Sequence, residues 1–108
     1  MNKYEQEARK LKSEGNNCSN SVYKALKNTY ELKCDVPAPR SIDGKCGTVL
    51  TTEAILKEKG RKDLIPAFEE EFVNKFGYLT CVELMRHERR CNDYVGFATE
   101  YITRVLGE

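Results

Sequence analysis

Asp43-Gly-Lys-Cys-Gly-Thr-Val-Leu50 is the stretch on which the reading of the fold turns. It places Cys46 between two glycines, after a loop that holds Pro37 and Pro39 and before a run with helical character. The prolines and Gly44 exclude a regular helix from Cys34 to Lys45, because proline lacks a backbone donor and fixes φ. Beyond it, Val49, Leu50, Ile55 and Leu56 supply the buried residues of a helix running from about Cys46 to Lys59, with Gly60 as its stop. Cys46 therefore lies where a proline-containing loop becomes a third helix.

Upstream, Tyr4, Ala8 and Leu11 recur at helical spacing over residues 2–14, and Gly15 follows as the stop. Asn16 and Asn17 are cap candidates for a second helix carrying Cys18, Val22, Ala25, Leu26, Thr29 and Tyr30, which fades near Leu32. Downstream, Asp63 is expected to cap a fourth helix with Pro66 in its first turn, the stripe Ile65, Phe68, Phe72, Val73 and Phe76, and Gly77 at its end. Thr80-Cys-Val-Glu83 has the form of a capping box and starts a short helix with Leu84 and Met85. After the charged run Arg86 to Arg90, Cys91 with Asn92 and Asp93 opens a last helix, whose stripe is Tyr94, Phe97, Ala98, Tyr101, Ile102, Val105 and Leu106. No segment alternates with period two. The expectation is an all-α protein: one domain over residues 1–108, a small bundle of five to six helices with the proline-containing loop before the third.

Eighteen basic against seventeen acidic residues leave a formal charge of +1, so bulk charge points to neither a nucleic-acid groove nor a membrane surface. No apolar run approaches the ~18 residues of a membrane span, and the first residues lack the apolar core of a signal peptide. A soluble, cytoplasmic protein is expected. Glu69, Glu70 and Glu71 are consecutive, diverge around a helix and read as a solvated face; His87, the single histidine, reads as an exposed residue in a charged run. There is no Ser-His-Asp set, phosphate-cradling loop or basic–aromatic patch, and hence no independent case for an enzyme.

The chemistry-bearing feature is the cysteines, five of them, at 18, 34, 46, 81 and 91. Their odd number argues against a fully paired secreted framework, and in a reducing compartment several cysteines point first to metal or redox work. Cys18, Cys46, Cys81 and Cys91 each fall at the cap or first turn of an expected helix; Cys34 instead follows one. A helix start offers open N–H groups and the positive end of the dipole, which favours the thiolate that binds metal or attacks a disulfide. Without a C-x-x-C pair, a site joining these residues has to be assembled by tertiary packing. Residue spacing leaves an iron–sulfur cluster and a reactive dithiol both open.

Asn17-Cys18-Ser19-x-Ser21-Val22, Gly44-x-Cys46-Gly47, Phe72-x-x-Lys75-Phe76-Gly77, Cys81-x-Glu83-Leu84 and Cys91-x-x-Tyr94-Val95-x-Phe97-Ala98, in that order, resemble the redox-active family named for its signature C…GCAxxG…C…C. The likeness runs from about Asn17 to Leu106. It implies a small helical protein with a redox or metal-binding role. The family cysteines correspond to Cys18, Cys46, Cys81 and Cys91, expected as ligands of an iron–sulfur cluster used in electron transfer or redox sensing. Cys34 has no counterpart, and Thr48 and Thr51 stand where the family pattern has Ala and Gly. Two alternatives accompany this expectation. One is thiol–disulfide cycling, for which Cys81 and Cys91 are nearest in sequence; the other is a zinc-stapled helical interaction domain. The partner expected for a redox role is a redox protein or a small-molecule thiol.

Overall fold

Short polar side chains set where the first two helices begin. Asn2 accepts the Glu5 N–H at 2.7 Å to open α1 (Lys3–Ser13), and Asn17 accepts the Asn20 N–H at 2.7 Å to open α2 (Cys18–Tyr30). Such a cap satisfies a donor that the first turn leaves open and contributes about 1 kcal/mol. In the computed structural model, which describes residues 2–38, 40–87 and 90–107, the chain continues through α3 (Gly47–Glu58), α4 (Ile65–Phe76), α5 (Cys81–His87) and α6 (Cys91–Leu106). The expected all-helical architecture is what the chain adopts: the described residues contain no strand, only an isolated antiparallel bridge between Lys45 and Thr80. The side chain of His87, expected at the surface, lies outside the described residues.

Some local details differ from the pattern expected. Asp63 does not cap α4. It sits in a 3₁₀ turn (Lys62–Leu64) and pairs with Arg61 at 3.3 Å, and α4 starts without a side-chain cap, with Pro66 in its first turn. At α5 the Thr80 hydroxyl donates to the Glu83 carboxylate at 2.7 Å, so the two side chains of the capping box meet each other. Val73 is 38% exposed, at the edge of the α4 stripe, while Tyr23 on α2 is buried.

α6 is the central element. It packs against α1, α2 and α3, and its aromatic side chains meet those of α4. Phe68 packs at a tilt against Tyr101 with ring centroids 5.1 Å apart, Phe72 likewise against Tyr94 at 5.7 Å, and Phe76 meets Tyr94 edge-on at 4.7 Å. Rings at these separations fill the space between the two helices, and each aromatic pair adds roughly 0.5–1.5 kcal/mol to the burial itself. Ala8, Val22, Leu26, Val49, Ile55, Leu56, Val95 and Ile102 complete one continuous core.

The α1–α6 seam is closed by Arg9, which pairs with Glu5 at 3.2 Å and Asp93 at 3.0 Å and donates to Asn92 at 3.2 Å. Its guanidinium lies over Gly96, where a β-carbon would collide with it. An exposed Gly→Ala change inside a helix usually stabilises by up to ~1 kcal/mol. Here the sign should reverse: Gly96→Ala displaces Arg9 from its partners and should lower stability by about 1 kcal/mol, read in thermal unfolding. A raised melting temperature would mean that the seam does not depend on Arg9.

Candidate functional site

The helix starts place four thiols at one location. Cys18 is the first residue of α2, Cys46 is the N-cap of α3, Cys81 begins α5 and Cys91 begins α6. All four line a single cavity of about 150 Å³, with Leu84, Met85 and Tyr94 forming apolar wall and Lys12 from the last turn of α1 at its edge. The four residues singled out in the sequence are thus brought together, and Cys34 is left out.

Two loops make this convergence possible. The Cys46 N–H donates to the Leu79 carbonyl at 2.8 Å, and the Cys81 N–H donates to the Gly44 carbonyl at 2.9 Å, on either side of the Lys45–Thr80 bridge. Gly44 has φ +69°, a conformation that glycine adopts at little steric cost. The side chain of Lys45 anchors the same loop from the other direction. It pairs with Glu69 of α4 at 2.9 Å and Glu53 of α3 at 3.6 Å. Glu69, read in the sequence as part of a solvated face, is therefore half-buried and structural.

The sulfurs are not equivalent. Cys46 is 4% exposed, yet its thiol is drawn down to about 6. The Cys18 thiol, which donates to its sulfur, is the main cause; the Thr48 hydroxyl and the Thr48 and Val49 N–H groups add to it, against the opposing effect of burial. Cys18 is pushed strongly upward, first by that same bond and then by burial and by the charges of Cys46 and Cys91. The two thiols titrate as a coupled pair, with Cys46 drawn down and Cys18 pushed up by the contact between them. The Cys81 thiol lies 3.5 Å from the Met85 thioether.

Cys34 occupies a different setting. Its N–H and that of Lys33 donate to the Glu58 carboxylate at 2.8 and 2.9 Å, and burial together with Glu58 pushes its thiol up to about 11. It is protonated at neutral pH and poorly nucleophilic.

The donor chemistry fits a thiolate-ligated group: soft sulfur ligands, open helix N–H groups and a largely apolar wall. Among the described residues, no three or more His, Cys, Asp or Glu side chains are arranged to hold a metal ion. No helix among the described residues is long and apolar enough to cross a membrane. No family model, curated protein or solved structure matches the chain.

The Lys45 anchor makes stability depend on pH. Burial and the neighbouring Glu69 raise the Glu53 carboxyl from 4.5 to about 7. A group whose folded value is raised stabilises fully below its unfolded value, and that contribution is lost as pH rises through the folded value. Urea unfolding of the protein should therefore show stability declining from pH 4.5 through about 7, and Glu53→Gln should flatten this decline. An unchanged slope in the variant would remove Glu53 as its source.

Proposed function

We propose that the protein is a redox carrier or sensor whose four-cysteine cavity holds an iron–sulfur cluster, with Cys18, Cys46, Cys81 and Cys91 as ligands. The observation that carries this reading is the lining of one cavity of about 150 Å³ by four thiols from four helix starts. A tetrahedral zinc with Zn–S near 2.3 Å would hold its sulfurs about 3.8 Å apart, whereas cluster ligands bind different irons around a larger core. Four cysteines lining one cavity suit the second arrangement better. Such a cluster, when bound, supplies the site with reversible electron uptake. The chain's own residues then act on the ligand sulfurs. The Thr48 and Val49 N–H groups bear on the Cys46 sulfur, Leu84 and Tyr94 give the cavity an apolar wall, and Lys12 places positive charge at its rim. A reducing compartment such as the cytoplasm would keep the ligands as thiols.

Protein expressed and purified without oxygen should be brown and contain iron and acid-labile sulfide. Cys46→Ser should lose most of both, and Cys34→Ser should retain them. Colourless, iron-free protein from such a preparation would overturn the assignment.

The Cys18–Cys46 contact favours a second reading, in which that pair exchanges with disulfides. The Cys46 thiolate attacks one sulfur of a partner disulfide and expels the partner's first thiolate. Cys18 then loses its proton and attacks the Cys46 sulfur, expelling the second. The partner is reduced by two electrons and Cys18–Cys46 is oxidised to a disulfide. The working pair would be this one, not Cys81 and Cys91. Metal-free protein treated with oxidised glutathione should lose two hydrogens in mass, mapped to Cys18 and Cys46; no loss, or loss mapped elsewhere, rejects it.

A further inference from the structure

Sulfur is concentrated in one place. The chain has five cysteines and two methionines, and four of those cysteines line one cavity together with Met85. Met85 is the member to which the cluster reading gives no role. It follows Cys81 by four residues on α5, which sets the two side chains on one face of the helix, and its thioether sulfur lies 3.5 Å from the Cys81 sulfur. It stands outside the hydrophobic core and is 41% exposed, so interior packing does not account for it. Cys46 is buried, whereas Cys81 is part-exposed and Met85 exposed, so the Cys81–Met85 pair is the part of the cavity reached from solvent. The described residues of the lining include no carboxylate and no imidazole.

We propose that Cys81 and Met85 form a two-sulfur clip for a soft monovalent cation, Cu(I), on the open side of the cavity. The clip goes beyond the cluster reading and does not rest on it. Zinc takes thiolate, imidazole and carboxylate, and iron–sulfur clusters take thiolate, whereas a thioether beside a thiolate selects Cu(I). Hard cations need oxygen donors that the lining does not offer. Charge points the same way. Cu(I) and a single thiolate sum to zero, and a neutral pair enters an apolar wall at less cost than a divalent ion. Copper arrives as a complex with a small-molecule thiol and passes by ligand exchange. The Cys81 sulfur forms a bond to Cu(I), the bond from copper to the carrier thiolate breaks, and the Cys81 proton goes to that departing thiolate. Met85 adds its neutral sulfur, and no electron is transferred. Cys81 serves either group, so copper and a cluster are alternative occupants.

Reduced, metal-free protein mixed without oxygen with the coloured bicinchoninate complex of Cu(I) should withdraw a single equivalent of copper and bleach the chelate. Met85→Leu keeps size and apolar character and removes the sulfur. It should weaken Cu(I) binding by at least about tenfold, since even groups that only orient a metal ligand contribute that much. Zn(II) binding by the same variant should stay at the wild-type level, a split that a packing role would not produce. Cys81→Ser should leave the copper with the chelator, and Cys34→Ser should bind it as wild type does. Selenomethionine-labelled protein tests the contact without a substitution that could unfold it: X-ray absorption at selenium should show copper as a direct neighbour in the copper-loaded protein, and labelled Met85→Leu should not. Wild-type protein that takes no copper, Met85→Leu that binds copper unchanged or loses zinc equally, or selenium without a copper neighbour overturns the proposal. Copper held through Met85 in protein that never acquires iron rejects the cluster alone. Brown, iron-loaded protein whose metal-free form shows no dependence on Met85 rejects the clip alone.

Discussion

The Cys46 N–H bonds the Leu79 carbonyl at 2.8 Å and the Cys81 N–H bonds the Gly44 carbonyl at 2.9 Å, and through these two bonds the loop before α3 and the loop before α5 become one object. α5 has only seven residues and no extensive backbone packing against another helix among the described residues. Buried Leu84 and the bridge are what hold it over the cavity. The bridge also uses up the N–H groups of Cys46 and Cys81 themselves. The donors remaining at the start of α3 belong to Thr48 and Val49, and these face the Cys46 sulfur.

Bringing helix starts together has an electrostatic cost. Each carries roughly half a positive charge, so the starts of α2, α3, α5 and α6 gathered around one cavity repel one another unless negative charge lies between them. Four neutral thiols do not provide it. The downward shift of the Cys46 thiol runs in the direction that relieves this cost, and the upward shift of Cys18 opposes a second ionisation beside it. Ligation of a cluster would let more of the sulfurs ionise, because the cationic iron core offsets their mutual repulsion. The same geometry would accommodate a fuller set of thiolates around a bound cluster than the thiols reach on their own.

Helix starts were legible in the sequence because short polar side chains mark them. Asn17 before Cys18 and Thr80 before Cys81 signal a start within a residue, while Cys46 is marked by the glycines around it and Cys91 by the Asn92–Asp93 that follow it. The bridge left no such trace. Gly44–Cys46 and Leu79–Cys81 are tripeptides with no alternating pattern, and only tertiary packing brings them side by side. The Lys45–Glu53–Glu69 cluster was hidden for a related reason: charge spacing along one helix says nothing about a lysine arriving from a loop. The mismatch at Asp63 is local, since two consecutive turns, one 3₁₀ and one α, share the signals of a single helix start.

Cys34 and Cys46 show how far residue type falls short of chemistry. Both are followed in the structure by backbone and side-chain groups that hydrogen-bond near sulfur, and both are partly or wholly withdrawn from water. What separates them is the sign of the neighbouring group. Cys34 follows the end of α2, where Glu58 arrives to satisfy the Lys33 and Cys34 N–H groups and brings a negative charge that holds the thiol protonated. Cys46 precedes α3, where the Thr48 and Val49 N–H groups and the Cys18 thiol draw its own thiol down. A cysteine placed after a helix meets the carboxylate recruited to finish it, and one placed before a helix meets the donors that start it. Burial raises both thiols; the donors at a helix start outweigh it at Cys46, and the carboxylate at a helix end adds to it at Cys34.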